Sequence, residues 1–423
     1  MKMSLRAAIV SALVLAGIAI AMRPASAHKA ITSKYTYNDD VFPILRDRCA
    51  SCHVPGGIAP MSLMTYDDAF PWAESIRAEL VSAHMPPWNA DEGYGEIRRA
   101  HTLSPKELDV ILTWATGGNP RGSLDQKLPE VKLQNEWQMG APDLALKLPA
   151  DFTLAADKME DWQEYTLAAG NADARWIRAV DLLPGTPSIV RSATIVVKSA
   201  GAQPVAGTPS PEHVLALWLP GQDLPPHDGV AFRLPAGAQI GVRIHYKKTW
   251  QFEGKAVTDR STVGIYYSQG GAPQSGATRG GGTAGEQELL SLPIDSPAAA
   301  SGGADQTVRF SRTLADEVQA LALSPDNVPG NISLQVEAVK PDGSRVPMIR
   351  LNTRADWDRR YWFEKPLTLP RGTRIEVTAN LQDPDMLSAA FTSTPGAAAT
   401  PARAGAMRLT LNVIPARSKP TAP

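Results

Sequence analysis

Residues 48–64 read RCASCHVPGGIAPMSLM, and they contain the only two cysteines of a 423-residue chain. On a helical turn residues i and i+3 point the same way and i+4 lies beside them. Cys49, Cys52 and His53 therefore offer two thiols and an imidazole to one point. A redox dithiol of this spacing sits in a βαβ surrounding, and a structural zinc asks for two further ligands near by. Neither is evident around the motif. Cys-x-x-Cys-His is the attachment pattern of a c-type haem: the thiols reach both vinyl groups and His53 binds the iron. One covalent haem c is the expected cofactor.

A sixth ligand has to come from the opposite face, so the chain must first travel round the porphyrin. Met61 and Met64 follow His53 closely and are expected to line the near side. Met85, in AHMPPWNA (83–90), comes 32 residues after His53, with Pro86 and Pro87 stiffening the segment that carries it. His84 competes for the role, and a methionine here can equally pack a core. Met/His ligation raises a reduction potential and suits electron transfer. Trp88 and Trp114 are expected as walls of the haem crevice.

Outward from the motif the pattern stays helical from Tyr35 to about Gly122. Asn38-Asp39-Asp40 caps a helix through Val41, Ile44 and Leu45. Thr65-Tyr66-Asp67-Asp68 has the form of a capping box ahead of Ala69, Trp72, Ile76 and Leu80 at helical spacing. Ser104-Pro105-Lys106-Glu107 opens a third helix, which carries Leu108, Ile111, Leu112 and Trp114 and ends at Gly117-Gly118.

Ahead of this segment, Lys2 and Arg6, the apolar run Ala7–Met22 and Ala25-Ser26-Ala27 follow the plan of a secretory signal over residues 1–27, cut after Ala27. The run is short for a membrane-spanning helix. The mature chain is expected in the periplasm with no membrane insertion, outside the cytoplasm, where haem is attached covalently. Lys2, Arg6 and Arg23 are three of 42 basic residues; without them 39 face 43 acidic ones, a net charge of −4. Nothing in that balance points to nucleic acid, and no polybasic stripe marks a membrane surface.

After Gly122 short alternating runs dominate: IVRSATIVV (189–197), HVLALWL (213–219), IGVRIHY (240–246), VGIYY (263–267), VQALAL (318–323), ISLQVEAV (332–339), RIEVTANL (374–381) and MRLTLNV (407–413). Pro and Gly separate them, which indicates antiparallel sheets packed face to face. SQGGAPQSGATRGGGTAGEQ (268–287) has nothing to pack and reads as a linker or loop. The expected division is a helical unit over 28–122, β domains over 123–270 and 288–415, a linker at 271–287 and a disordered tail at 416–423.

The wording CASCHVPGGIAPMSLMTYDDAFPWAESIRAEL (49–80) followed by HMPPW (84–88) resembles a compact class I-like cytochrome c. More narrowly, it resembles a group in which a monohaem domain precedes a β region similar to the copper type II, ascorbate-dependent monooxygenases, the relatives of peptidylglycine α-hydroxylating monooxygenase. That second likeness runs through WQMGAPDLAL (137–146), RWIRAVDLLPGTPSIV (175–190), LALWLPGQDLPP (215–226), FRLPAGAQIGVRIHY (232–246), TDRSTVGIYY (258–267), VEAVKPDGSRV (336–346) and FEKPLTLPRGTRIEVTA (363–379). The resemblance implies a multidomain α + β chain: a small all-α cytochrome c domain, then two antiparallel β-sandwich, jelly-roll-like domains. It also implies one copper in each sandwich, held by three histidines in one and by two histidines and a methionine in the other.

Carried over residue by residue, those ligands mostly fail. Arg191-Ser192 stand where the family has adjacent histidines, while the third ligand falls on His245. In the second domain Pro325-Asp326-Asn327-Val328 holds no histidine, and Met407 is a loose match for the methionine. Of the seven histidines none lies beyond His245, so that domain cannot build a histidine copper site. His213, His227 and His245 could converge in the first. His28 would become an N-terminal imidazole on cleavage, without the fold that makes a copper brace.

Copper is not expected. The chain reads as an exported single-electron carrier with a copper-depleted β region as docking or scaffold module, working between a redox donor and a redox acceptor. The alternative is an active copper monooxygenase fed by its own haem. No catalytic residue stands out: there is no G-x-S-x-G elbow and no phosphate-cradling loop.

Overall fold

The computed structural model describes residues 32–98, 102–198, 213–222, 229–268, 287–297, 307–354, 357–381 and 406–416. The segment 1–27 expected as a signal, His28, His227, residues 271–286 of the expected linker and residues 417–423 of the expected tail lie outside the described residues. Gln287, expected at the end of the linker, pairs instead with Val230 in a short parallel ladder.

The helical segment forms where its caps dictate. Thr36, ahead of the three residues expected to cap, accepts from the Asp39 amide and opens a π-turn, Tyr37–Val41, that runs into the helix Phe42–Arg48. Thr65 Oγ1 accepts from the Asp68 amide at 3.1 Å and starts the turn Tyr66–Ala69. Pro71 cannot continue the α ladder, so Phe70–Trp72 tighten to a 3₁₀ turn before the helix Ala73–Val81. Ser104 and Glu107 complete a reciprocal capping box for Pro105–Thr116, which ends at Gly117. Tyr37, Leu45, Ile111 and Trp114 meet in the core between these turns.

Four main sheets follow. In hydrogen-bonded order the first is Leu144–Lys147, Thr262–Tyr267, Arg175–Leu183, Val230–Leu234 and Gln287–Glu288; the second is Glu160–Ala168, Gln239–Lys247, Val190–Lys198 and His213–Trp218. Their apolar faces share one core, in which Ile177, Val263 and Ile265 of the first meet Ile195, Val242 and Ile244 of the second. The third is Leu290–Asp295, Arg408–Pro415, Val318–Asn327 and Tyr361–Leu369; the fourth is Thr307–Thr313, Arg374–Asn380, Ser333–Val339 and Arg345–Asn352. These share a second core through Leu323, Leu409 and Leu411 on one side and Val336, Ile349 and Val377 on the other. Each alternating run named from the sequence lies on one of these strands, because period-two patterning fits a sheet with one buried face.

The expected class does not hold. The described residues are mainly β, 42% strand against 14% helix, with the four main sheets disposed like blades and no all-α cytochrome domain evident among them. The physical reason lies in residues 87–98, which leave the helices and join the sheets. Ala90 bridges Leu351 and Ile97 bridges Phe363; the Asp91 amide donates to Arg350 O at 2.9 Å and the Arg98 amide to Trp362 O at 2.8 Å. Ala90 itself sits in the second β core. The helical turns are thus one face of a larger, strand-dominated body.

Candidate functional site

A cavity of about 520 Å³ opens where the helical turns meet the sheets, within the range of small-molecule and cofactor sites. Cys49, Cys52 and His53 line it, as do Met85, Pro86 and Pro87, so the structure brings together all four residues singled out from the sequence. Leu45, Ile58, Leu63, Ile76, Leu80 and Ile111 make most of the remaining helical wall apolar.

The cysteine turn is built by backbone closure. The Cys52 and His53 amides donate to Cys49 O at 3.1 and 2.9 Å, and the Ala59 amide returns to Cys52 O at 3.2 Å. Gly57 is required here: a Cβ would lie 2.4 Å from Cys52 O. Both cysteines are free thiols. Burial pushes the Cys49 thiol up to about 12, with the neighbouring Cys52 adding to it, and burial raises Cys52 too. They stay protonated, because a thiolate in an apolar wall lacks solvation.

His53 Nδ1 lies 3.1 Å from Met61 O. A carbonyl can only accept, so Nδ1 carries the proton and Nε2 keeps its lone pair. Burial also holds the imidazole below its usual pKa, against the pull of that hydrogen bond, so the neutral, ligating form is favoured.

Met85 is held from both sides. Its amide donates to Glu79 O at 3.2 Å, and two residues on Arg359 Nη2 donates to Pro87 O at 2.8 Å. His84, its competitor, is not in the cavity wall: its Nδ1 is 3.2 Å from Glu79 Oε2. Met61 lines the cavity as expected, whereas Met64 is buried in the helical core. The tryptophans differ from expectation. Trp114 is buried in that core with Nε1 donating to Pro120 O, and Trp88 packs edge-on against Tyr361; the cavity walls use Trp72 and Trp357 instead.

Sequence reasoning missed the β side of the cavity: Arg191, Leu219–Gln222, Trp357 and Arg359. Gly221, at φ +68°, lies so close to the cysteine turn that a Cβ would fall 2.2 Å from the Ser51 Cβ. Arg191 is the residue skipped in the ladder between Val190–Tyr246 and Ser192–His245, and such a bulge re-aims a side chain.

Of the histidines considered as copper ligands, the two among the described residues stay apart, His245 opposite Ser192 and His213 opposite Val197 on the same strand. His245 is buried flat on Trp162, ring centroids 4.0 Å apart, with Nε2 3.6 Å from Glu160 Oε2. His213 is exposed at the head of its strand. Met407 is buried in the second core, its amide bonded to Ser296 Oγ. Among the described residues no three His, Cys, Asp or Glu side chains cluster as a metal site. A haem iron asks less of the protein than such a cluster does. One imidazole and one thioether suffice, and the thiols, the lone pair on His53 and the apolar cavity fit a covalently held haem.

No helix among the described residues is long and apolar enough to cross a membrane. No family model matches the chain, and no curated protein does. Among solved structures it is similar to one of infectious bursal disease virus, Gx strain, at TM-score 0.20 and 11% identity over 66% of this chain and 72% of that one. The PBSX exported protein XepA matches at TM-score 0.18 and 9% identity over 61% and 91%. A tandem CBM22 domain of Paenibacillus barcinonensis Xyn10C matches at 0.16 and 9% over 70% and 100%. Likeness at this level carries no argument about fold or function.

Proposed function

We propose that the chain is an exported c-type cytochrome that passes single electrons between a redox donor and a redox acceptor. Cys49 and Cys52 would hold the haem by thioethers, and His53 and Met85 would ligate its iron. The observation that carries this reading is the meeting, in one apolar cavity, of two free protonated thiols, an imidazole with an available Nε2 and a thioether distant in sequence.

Haem, when bound, supplies the one-electron couple. The chain's own residues do the rest. Met61 O fixes the tautomer of His53; the Glu79 and Arg359 contacts hold the Met85 segment; the apolar wall excludes water, which favours the reduced form. A haem held by both His53 and Met85 would supply electron transfer rather than oxygen activation. The β region, without the histidines of a copper centre, serves as scaffold for the cavity and as docking surface. Export with cleavage after Ala27 belongs to the same proposal.

The test is iron and copper per chain on the purified mature protein after copper reconstitution, with an alkaline pyridine spectrum. One iron, negligible copper and a spectrum of haem with both vinyl groups saturated are expected. A haem-free chain overturns the reading. Stoichiometric copper would put the monooxygenase alternative first.

A further inference from the structure

Away from the cavity, one end of the first sheet concentrates positive charge. Ile177 and Phe232 lie opposite each other and pack into the first β core, so the neighbouring pair, Trp176 and Arg233, alternates to the outer face. Arg178 falls in a bulge, since Tyr266 pairs with Ala179 and Tyr267 with Ile177. Its guanidinium lies 5.7 Å from the Tyr266 ring, and its Nε donates to Tyr267 O at 3.2 Å. Arg175, at the rim, lies 5.4 Å from the Tyr267 ring. The three arginines are exposed and Trp176 is half-buried. The carboxylate of Asp143 is engaged by the Tyr267 amide at 2.7 Å. None of the three arginines forms an ion pair among the described residues, with Asp143, with Asp173 or with any other acid.

Other sheet faces neutralise such charges themselves. On the second sheet Arg243 is 3.5 Å from Glu164, and on the fourth Arg345 meets Glu337 and Glu376 at 2.7 and 2.6 Å. In a chain of 42 basic and 43 acidic residues, three exposed arginines at one sheet end without an acid make a local positive field. An acidic partner supplies the complement, and planar guanidinium forks suit carboxylates. A lipid surface asks instead for apolar side chains to insert. None of the large apolar side chains exposed among the described residues belongs to this face. The face is also remote from the cavity. Arg175 is six residues, about 20 Å, along its strand from Asp181, whose Oδ1 accepts from Trp218 next to the wall segment Leu219–Gln222.

We propose that this end of the first sheet, with Arg178 and Arg233 beside Trp176 and Arg175 at the rim, docks an acidic segment of a partner protein. Carboxylates of the segment take the Nη donors of Arg178 and the forks of Arg175 and Arg233, and Trp176 gives the segment an apolar floor. The inference stands apart from the haem reading and uses no residue of the cavity. It gives the β region a binding role of its own.

The experiment titrates the full mature chain into fluorescently labelled poly-L-glutamate at low salt and follows anisotropy. Arg178→Glu/Arg233→Glu is compared with Arg309→Glu/Arg371→Glu, which changes the net charge equally at two exposed arginines on and beside the fourth sheet. The first pair should weaken binding by about tenfold and the second by less than about twofold. Added salt should remove the difference. Circular dichroism checks that each variant is folded; if the first pair is not, Arg178→Gln/Arg233→Gln must weaken binding by about threefold. Equal weakening by the two pairs, or no binding of the polymer to the parent chain, overturns the proposal. So does binding to phosphatidylglycerol vesicles that is tighter than to poly-L-glutamate and is abolished by the first pair, because the face then serves a lipid surface. Haem content, measured on the same samples, should be equal in all of them, so the haem reading stands or falls separately.

Discussion

The cysteine turn and the β wall opposite it enclose the same cavity by different means. The turn is local: residues 49–63 close on themselves through the amides of Cys52, His53, Ala59 and Leu63. The wall is assembled from residues far apart in the chain, with Arg191 from a bulged strand, Gly221 from a turn and Arg359 from the approach to another strand. Chemistry that needs fixed spacing is written in a short motif. The groups that seal and charge the space come from topology.

Four substitutions probe this contrast, from the largest effect to the smallest. Trp114→Ala empties the centre of the helical core, and about 3–5 kcal/mol of stability should go. Hydrogen exchange should show the loss in residues 36–116, with the amides of both β cores still protected; equal loss everywhere would mean that the helical turns have no stability of their own. Gly57→Ala drives a Cβ against Cys52 O and should cost about 1–3 kcal/mol, read by thermal unfolding, with less haem attached per chain. Gly221→Ala acts from the wall side. Its positive φ and the contact with Ser51 set a cost of about 1–2 kcal/mol, but attachment at Cys49 and Cys52 should proceed at the parental level. If Gly221→Ala blocks attachment as fully as Gly57→Ala, the two sides of the cavity are not separable. Ser104→Ala removes one half of the capping box; about 1 kcal/mol should be lost in chemical denaturation, with no change in haem content.

How much of this was legible follows the same division. The helix starts were readable because Thr65 and Ser104 carry the capping chemistry in the side chain itself. Strands such as Gln239–Lys247 and Arg374–Asn380 were readable from alternation. The π-turn at Tyr37–Val41 moved the first cap to Thr36, which no apolar period reports. Residues 87–98 misled the reading of the class: PWNADEGYGEIR carries no strand period, yet two isolated bridges and the backbone of Arg350 and Trp362 tie it to the sheets.

At the site, Cys49, Cys52, His53 and Met85 were legible from residue type and spacing. Arg191 and Arg359 were not. A basic residue in an apolar strand run, as in SIVRSATIVV (188–197), was the one signal available, and only the bulge explains why it is tolerated. Trp88 was misplaced because its neighbour in space is Tyr361, more than two hundred residues away in the sequence.

The central claim is that the cysteine turn holds a haem by two thioethers, and the intact mass of the exported chain tests it most directly. The account predicts a chain beginning at His28 with the mass of one haem added, an addition lost entirely in Cys49→Ala/Cys52→Ala. A mature chain of unmodified mass, with Cys49 and Cys52 both alkylated by a thiol reagent after unfolding, would contradict it.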